Sequence, residues 1–107
     1  MLALLSCFMG GALLANAVPH TVSGMMGRPF QSPFATPSGR GLSSPIVNVL
    51  WGYFNLAAGY LLTCRVGDFS LQSMADVIAL GLGGLLASLF AAWHFGRVND
   101  GKLPAAH

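Results

Sequence analysis

The stretch VIALGLGGLLASLFAAWHF, residues 77–95, contains no Asp, Glu, Lys or Arg. As an α-helix it would span roughly 28 Å, close to the ~30 Å hydrocarbon core of a bilayer. Ser73 and Asp76 precede it with the spacing of a capping box, so we expect a helix over 74–95 and a tail over 96–107. The stretch therefore predicts a transmembrane helix.

Two further segments have the same character. Residues 1–18 carry no charged side chain and precede Pro19, which we expect to end the first helix. Residues 46–64 are also apolar and of spanning length, and residues 19–45 form a Pro/Gly-rich loop between the two. The sequence predicts an all-α integral membrane protein with three transmembrane helices in one domain, residues 1–107.

The composition indicates that lipid is the solvent of this chain. Hydrophobic residues make up 54% of the 107 residues and charged residues only 7%, whereas a soluble domain carries roughly 25% charged residues. In water such a surface would expose large apolar patches. The net charge is +2 and no basic run occurs, so we expect no nucleic-acid partner.

The first segment has an alternative interpretation as a cleaved signal peptide. Ala15-Asn16-Ala17 resembles a small-residue cleavage site. A signal peptide would carry a basic residue before its apolar run, and none is present here. We expect residues 1–17 to be retained, and cleavage remains the alternative.

The basic residues predict the orientation of the chain. In a three-helix arrangement Arg28, Arg40, Arg97 and Lys102 fall on one side of the membrane, and Arg65 falls alone on the other. The positive-inside rule then places the amino terminus outside and the carboxyl terminus in the cytoplasm of a cell inner (plasma) membrane.

The second helix carries a polar stripe. Asn48, Gly52, Asn55 and Gly59 follow spacings of four, three and four, which places them on one helix face. An amide without a partner in hydrocarbon costs several kcal/mol, so Asn55 should face another helix. The stripe is expected either to join helices through hydrogen bonds or to line a small cavity.

The loop between the first two helices combines prolines with aromatic residues. Phe30 and Phe34 predict an extended segment in the cytoplasmic headgroup layer, with Arg28 and Arg40 contacting phosphates. An alternative is that Gly39-Arg40-Gly41 presents backbone N–H groups to an anionic ligand.

Two short patterns in this region are similar to a known group of proteins. They are PHxxxGxxGxPF from Pro19 and GLSSPxxNxxWG from Gly41. The chain resembles small uncharacterised bacterial integral membrane proteins over roughly its first sixty residues. The resemblance implies no activity, and it implies that the loop and the second helix are the functional part.

The polar residues provide few candidates for chemistry. His20 and His94 are expected near the cytoplasmic side, where each could contact a ligand or a lipid headgroup, or the pair could ligate a haem iron. A third ligand at recognisable spacing is missing, so we expect no metal site and no cofactor. Neither a nucleophile elbow nor paired carboxylates occur, so we expect no catalytic residues and no enzyme.

These observations favour a structural or interaction role, as a homo-oligomer or as an accessory subunit of a membrane complex. The expected partners are the lipid bilayer and other membrane proteins or the chain itself. One alternative is a transporter or channel component for a small solute that uses the Asn48/Asn55 face. Another is a haem-binding accessory subunit that uses His20 and His94.

Overall fold

Three long helices form the fold, and a short hairpin covers one end of them. The computed structural model describes residues 1–100, so Lys102 and the other residues of 101–107 in the expected tail lie outside the described residues. The elements are α1 (Leu2–Met25), β1 (Phe30–Gln31), β2 (Leu42–Ser43), α2 (Pro45–Tyr60), a π-helical extension of α2 (Leu61–Val66), and α3 (Met74–Val98).

Each helix has the length and composition of a membrane span. The spanning segments are Leu2–Met25, Pro45–Val66 and Met74–Val98. They match the expected segments in number and order, and each is longer than expected at one end or both. The chain is therefore mostly helical, with three helices that are long and apolar enough to cross a membrane.

The expectation that Pro19 ends the first helix is wrong, because α1 continues through Pro19 to Met25. Proline removes one backbone hydrogen bond from a helix interior, at a cost of about 3 kcal/mol. The turns beyond Pro19 pack tightly against α2, where a Cβ on Gly24 would stand 2.5 Å from the carbonyl oxygen of Pro45. This packing offsets the lost bond, and membrane helices generally tolerate proline in this way.

The starts of α2 and α3 are capped by serine side chains. Ser44 Oγ accepts a hydrogen bond from Val47 N–H at 3.2 Å, and Ser73 Oγ accepts one from Asp76 N–H at 3.2 Å. The Asp76 carboxylate accepts instead from Ser70 N–H, at 3.0 Å, so the expected capping box is extended into the preceding turn. Both caps satisfy N–H groups that a helix start leaves without partners.

Helix α1 is the centre of the bundle. It packs along both α2 and α3, whereas α2 and α3 share almost no contact with each other. Both interfaces depend on glycine, since a Cβ on Gly10 would stand 3.0 Å from the Gly59 carbonyl oxygen, and one on Gly83 would stand 1.8 Å from that of Phe8. Small residues let membrane helices approach until their backbones touch.

The loop folds over one end of the bundle as a short hairpin, whereas the sequence predicted an extended segment. Strands β1 and β2 pair antiparallel with Phe30 opposite Ser43, and Gln31 is fully buried. The Phe30 ring packs against the rings of His20 and Phe95, with centroid distances of 5.4 and 4.6 Å. Packing of this half-buried ring and burial of Gln31 and Ser32 tie the loop to the helices.

Candidate functional site

The polar stripe of α2 is the face that packs against α1. Asn48, Gly52, Asn55 and Gly59 are the buried residues of α2. At Gly52 the approach is closest, because an added Cβ would come within 2.9 Å of the backbone nitrogen of Thr21. The stripe is therefore occupied within a single chain, and among residues 1–100 its two amides both bond to partners in the same chain.

One chain of hydrogen bonds begins at a carbonyl of α2 and ends on α1. The Asn55 Nδ2 group donates to the Trp51 carbonyl oxygen at 2.8 Å. This contact turns Asn55 Oδ1 toward α1, where it accepts from Asn16 Nδ2 at 3.1 Å. Because a carbonyl oxygen can only accept, the direction of both bonds is determined. The remaining polar atom, Asn16 Oδ1, is an acceptor.

A second chain of hydrogen bonds begins at carbonyls of the hairpin. The Asn48 Nδ2 group donates to the Phe30 carbonyl oxygen at 2.9 Å and lies 3.2 Å from those of Ser43 and Ser44. Asn48 Oδ1 therefore faces His20 Nδ1, at 2.8 Å, and the proton of this bond belongs to the ring. In the neutral imidazole, Nε2 of His20 is then an acceptor.

Both of these series of hydrogen bonds end at the same cavity. Its volume is about 180 Å³ and it lies between α1, α2, α3 and the folded loop. Asn16, His20 and His94 all line it, so the structure brings together the two histidines that the sequence places near one end of the helices and adds Asn16 to them. The full lining is Asn16, His20, Gln31, Ser32, Pro33, Ser38, Gly39, Trp51, His94 and Phe95.

His94 attaches α3 to the loop above this cavity. Its Nε2 lies 2.7 Å from the Gly39 carbonyl oxygen, so this nitrogen carries the proton and donates. Gly39 has a φ of 74°, a conformation that glycine adopts without strain and that turns the loop here. The His94 ring also stacks on Phe90, at a centroid distance of 5.7 Å. His94 is thus a structural contact as well as a cavity residue.

The two loop arginines lie outside the cavity lining. Arg28 and Arg40 are both exposed, at the end of the bundle that also contains the carboxyl end of α3. The N–H groups of Gly39, Arg40 and Gly41 donate to carbonyls within the loop. The alternative of a backbone anion site at Gly39-Arg40-Gly41 is therefore wrong, since these donors are already used.

Sequence reasoning missed a reciprocal amide pair beside the cavity. Gln31 Nε2 donates to Asn99 Oδ1 at 2.6 Å, and Asn99 Nδ2 donates to Gln31 Oε1 at 3.2 Å. Ser32 and Ser43 are joined by their hydroxyls across the hairpin. The only local signal was a polar residue after Phe30 in the loop, and that signal does not identify a partner 68 residues away.

The arrangement does not fit a haem held by His20 and His94. One nitrogen of each ring is hydrogen-bonded and the other is free to ligate, so the size of the cavity decides the question. The volume of about 180 Å³ is below the roughly 300 Å³ at which sites for larger organic ligands begin. Within residues 1–100 no three His, Cys, Asp or Glu side chains come together as a metal site.

Chemically, the cavity can hold a small group that forms hydrogen bonds. Its lining contains amide, hydroxyl and imidazole groups and aromatic rings and, among residues 1–100, no side chain of Asp, Glu, Lys or Arg. Comparison with known proteins found no matching family model, no matching curated protein and no matching solved structure.

Proposed function

We propose that this protein is an interaction subunit of a membrane assembly, and that it binds a second copy of itself through the outer face of α3. The observation that carries the proposal is the burial of α3. Gly83 is the one buried residue of this helix, whereas α1 and α2 each bury a complete face. A spanning helix so little covered by its own chain has most of its surface available for a partner.

The character of the uncovered surface also supports the proposal. Gly81, Ser88 and Ala92 recur along one side of α3 and are exposed. Nothing lies within 4 Å of the position that a Cβ on Gly81 would occupy. Ser88 Oγ donates to the Gly84 carbonyl oxygen at 2.7 Å, so its hydroxyl is satisfied within the helix. Small residues toward lipid leave a shallow groove, and such grooves are typical of helix–helix contacts in membranes.

The test is the oligomeric state of the full chain in mild detergent, measured by sedimentation with varied ratios of protein to detergent. Ala92→Leu fills the groove and should shift the chain to the monomer. Ala57→Leu is the matched control, because Ala57 is an exposed alanine of α2 outside the stripe. A wild-type chain that remains monomeric at high protein-to-detergent ratio, or equal effects of the two variants, would contradict self-association.

We further propose an amino terminus outside and a carboxyl terminus in the cytoplasm of a bacterial plasma membrane. Arg28, Arg40 and Arg97 lie at one end of the bundle and Arg65 lies at the other. The excess of basic residues supports a cytoplasmic location for the first end. Cys64 is exposed at the second end, so a membrane-impermeant maleimide should label it on intact cells. Labelling only after lysis would reverse the orientation.

A further inference from the structure

An apolar groove along α2 lies next to the cavity. The groove is lined by Phe34, Val47, Leu50, Trp51 and Phe54, and its volume is about 520 Å³. Trp51 lines both spaces, so the polar cavity and the apolar groove meet at this side chain. Because α2 and α3 barely touch, this side of α2 is not closed by its own chain. A polar cavity next to an apolar groove suits a molecule with a polar head and an apolar tail.

Two acceptors in the cavity lining have no hydrogen-bond partner among residues 1–100. Two independent chains of hydrogen bonds, one from the Trp51 carbonyl and one from the Phe30 carbonyl, end at Asn16 Oδ1 and His20 Nε2. Asn16 and His20 are four residues apart on α1 and therefore lie side by side on one face. Asn16 and His20 both line the cavity, and His20 is 2% exposed. Two neighbouring acceptors that face a cavity, one of them on a buried side chain, suit a ligand that donates hydrogen bonds.

We propose that the cavity and groove bind an uncharged amphiphile whose head carries hydroxyl groups, such as a monoacylglycerol. Two hydroxyls of the head donate to Asn16 Oδ1 and His20 Nε2, and the acyl chain lies along Phe34, Leu50 and Phe54. The head must be uncharged, because the lining offers no ionised partner to a buried charge. Its size is also bounded, since about 180 Å³ is the volume of about six waters.

Quenching of tryptophan fluorescence by bromine tests this site directly. Trp51 lies in the site, and Trp93, the second tryptophan, is exposed on α3 outside it. In the Trp93→Phe chain, reconstituted in phospholipid, Trp51 is the only tryptophan. A monoacylglycerol brominated on its acyl chain should quench Trp51 saturably at a low mole fraction. The matched probe is its dimethyl ether, which has the same chain and nearly the same head but no hydroxyl donor.

The expected result is quenching at a roughly tenfold lower mole fraction for the monoacylglycerol than for the ether, the order of magnitude for one buried hydrogen bond. Asn16→Ala should reduce this preference. Leu50→Ala should weaken the binding of both probes without changing the preference. Equal quenching by the two probes would overturn the proposal. Stronger quenching by a brominated alkylamine would show a cation site in its place, and no saturable quenching would show a cavity filled by water only.

Discussion

Replacing Gly83 with alanine should force α1 and α3 apart. The new Cβ would stand 1.8 Å from the Phe8 carbonyl oxygen, 2.7 Å from its carbonyl carbon and 3.1 Å from its Cα. All three are backbone atoms, so no change of side-chain rotamer relieves the clash. Moving the closest pair to 3.4 Å, the start of ordinary contact, requires a separation of about 1.6 Å.

The cost of this separation follows from the packing of the interface. A gap of 0.5–1 Å already forfeits a quarter to a half of each dispersion contact. Overpacking of this kind typically lowers the free energy of unfolding by about 1–3 kcal/mol. Alanine also has a higher helix propensity than glycine, by up to about 1 kcal/mol, which acts in the opposite direction. A control substitution is therefore needed that adds the propensity without the clash.

Gly81→Ala is that control when both variants are measured as monomers, at a low ratio of protein to detergent, because Gly81 also belongs to the proposed outer stripe. Gly81 lies two residues earlier in α3, and nothing stands within 4 Å of its Cβ position. We expect the unfolding equilibrium constants of the two variants, measured by circular dichroism during titration of micelles with a denaturing detergent, to differ by roughly 5- to 150-fold. If Gly83→Ala proves as stable as Gly81→Ala, the close contact of α1 with α3 does not exist in the folded protein.

Three further substitutions or modifications test other parts of the bundle. Asn55→Leu leaves Asn16 Nδ2 without its acceptor and should lower the free energy of unfolding by about 0.6–2 kcal/mol even in a monomer; an unchanged value would show that this amide bond contributes nothing. Thr63→Val removes a buried hydroxyl that has no hydrogen-bond partner within residues 1–100, so denaturation should show equal or higher stability, and a loss above about 1 kcal/mol would indicate a hidden partner. Cys64 is exposed and Cys7 is fully buried, so a maleimide in detergent should modify Cys64 rapidly and Cys7 only after unfolding; equal rates would contradict the packing of α1.

The three spans could be predicted from the sequence because the signal is local. Charge-free runs long enough to cross a bilayer can be recognised in the local sequence, and so can serine caps such as Ser44 and Ser73. Pro19 was misread for a physical reason. The cost of a proline is a property of its own helix, whereas the compensation lies in the contact of Gly24 with Val49 and Pro45. That contact depends on how two distant segments cross, which local patterns do not record.

Only the α2 part of the candidate site could be predicted from the sequence. The α2 stripe follows from helical periodicity, and the cost of a bare amide in lipid places Asn48 and Asn55 against another helix. The partners of those amides, Asn16 and His20, depend on the rotation of α1 about its axis, and no sequence spacing specifies that rotation. The pairing of Gln31 with Asn99 joins residues 68 positions apart and depends on where the hairpin lies over the end of α3.

The two interfaces of α1 are built from different interactions, and this difference bears on function. Side-chain hydrogen bonds join α1 to α2 at both depths, through Asn55 and Asn48. Between α1 and α3, by contrast, no side-chain hydrogen bond forms in the described part of the chain, and the contact is made by glycine against backbone. The carboxyl end of α3 is held instead by the loop, through His94 and Asn99. Helix α3 is thus the element least bonded to its own chain. The same helix has the outward stripe and borders the cavity, so binding of a partner there and occupation of the cavity would act on one shared, weakly held element.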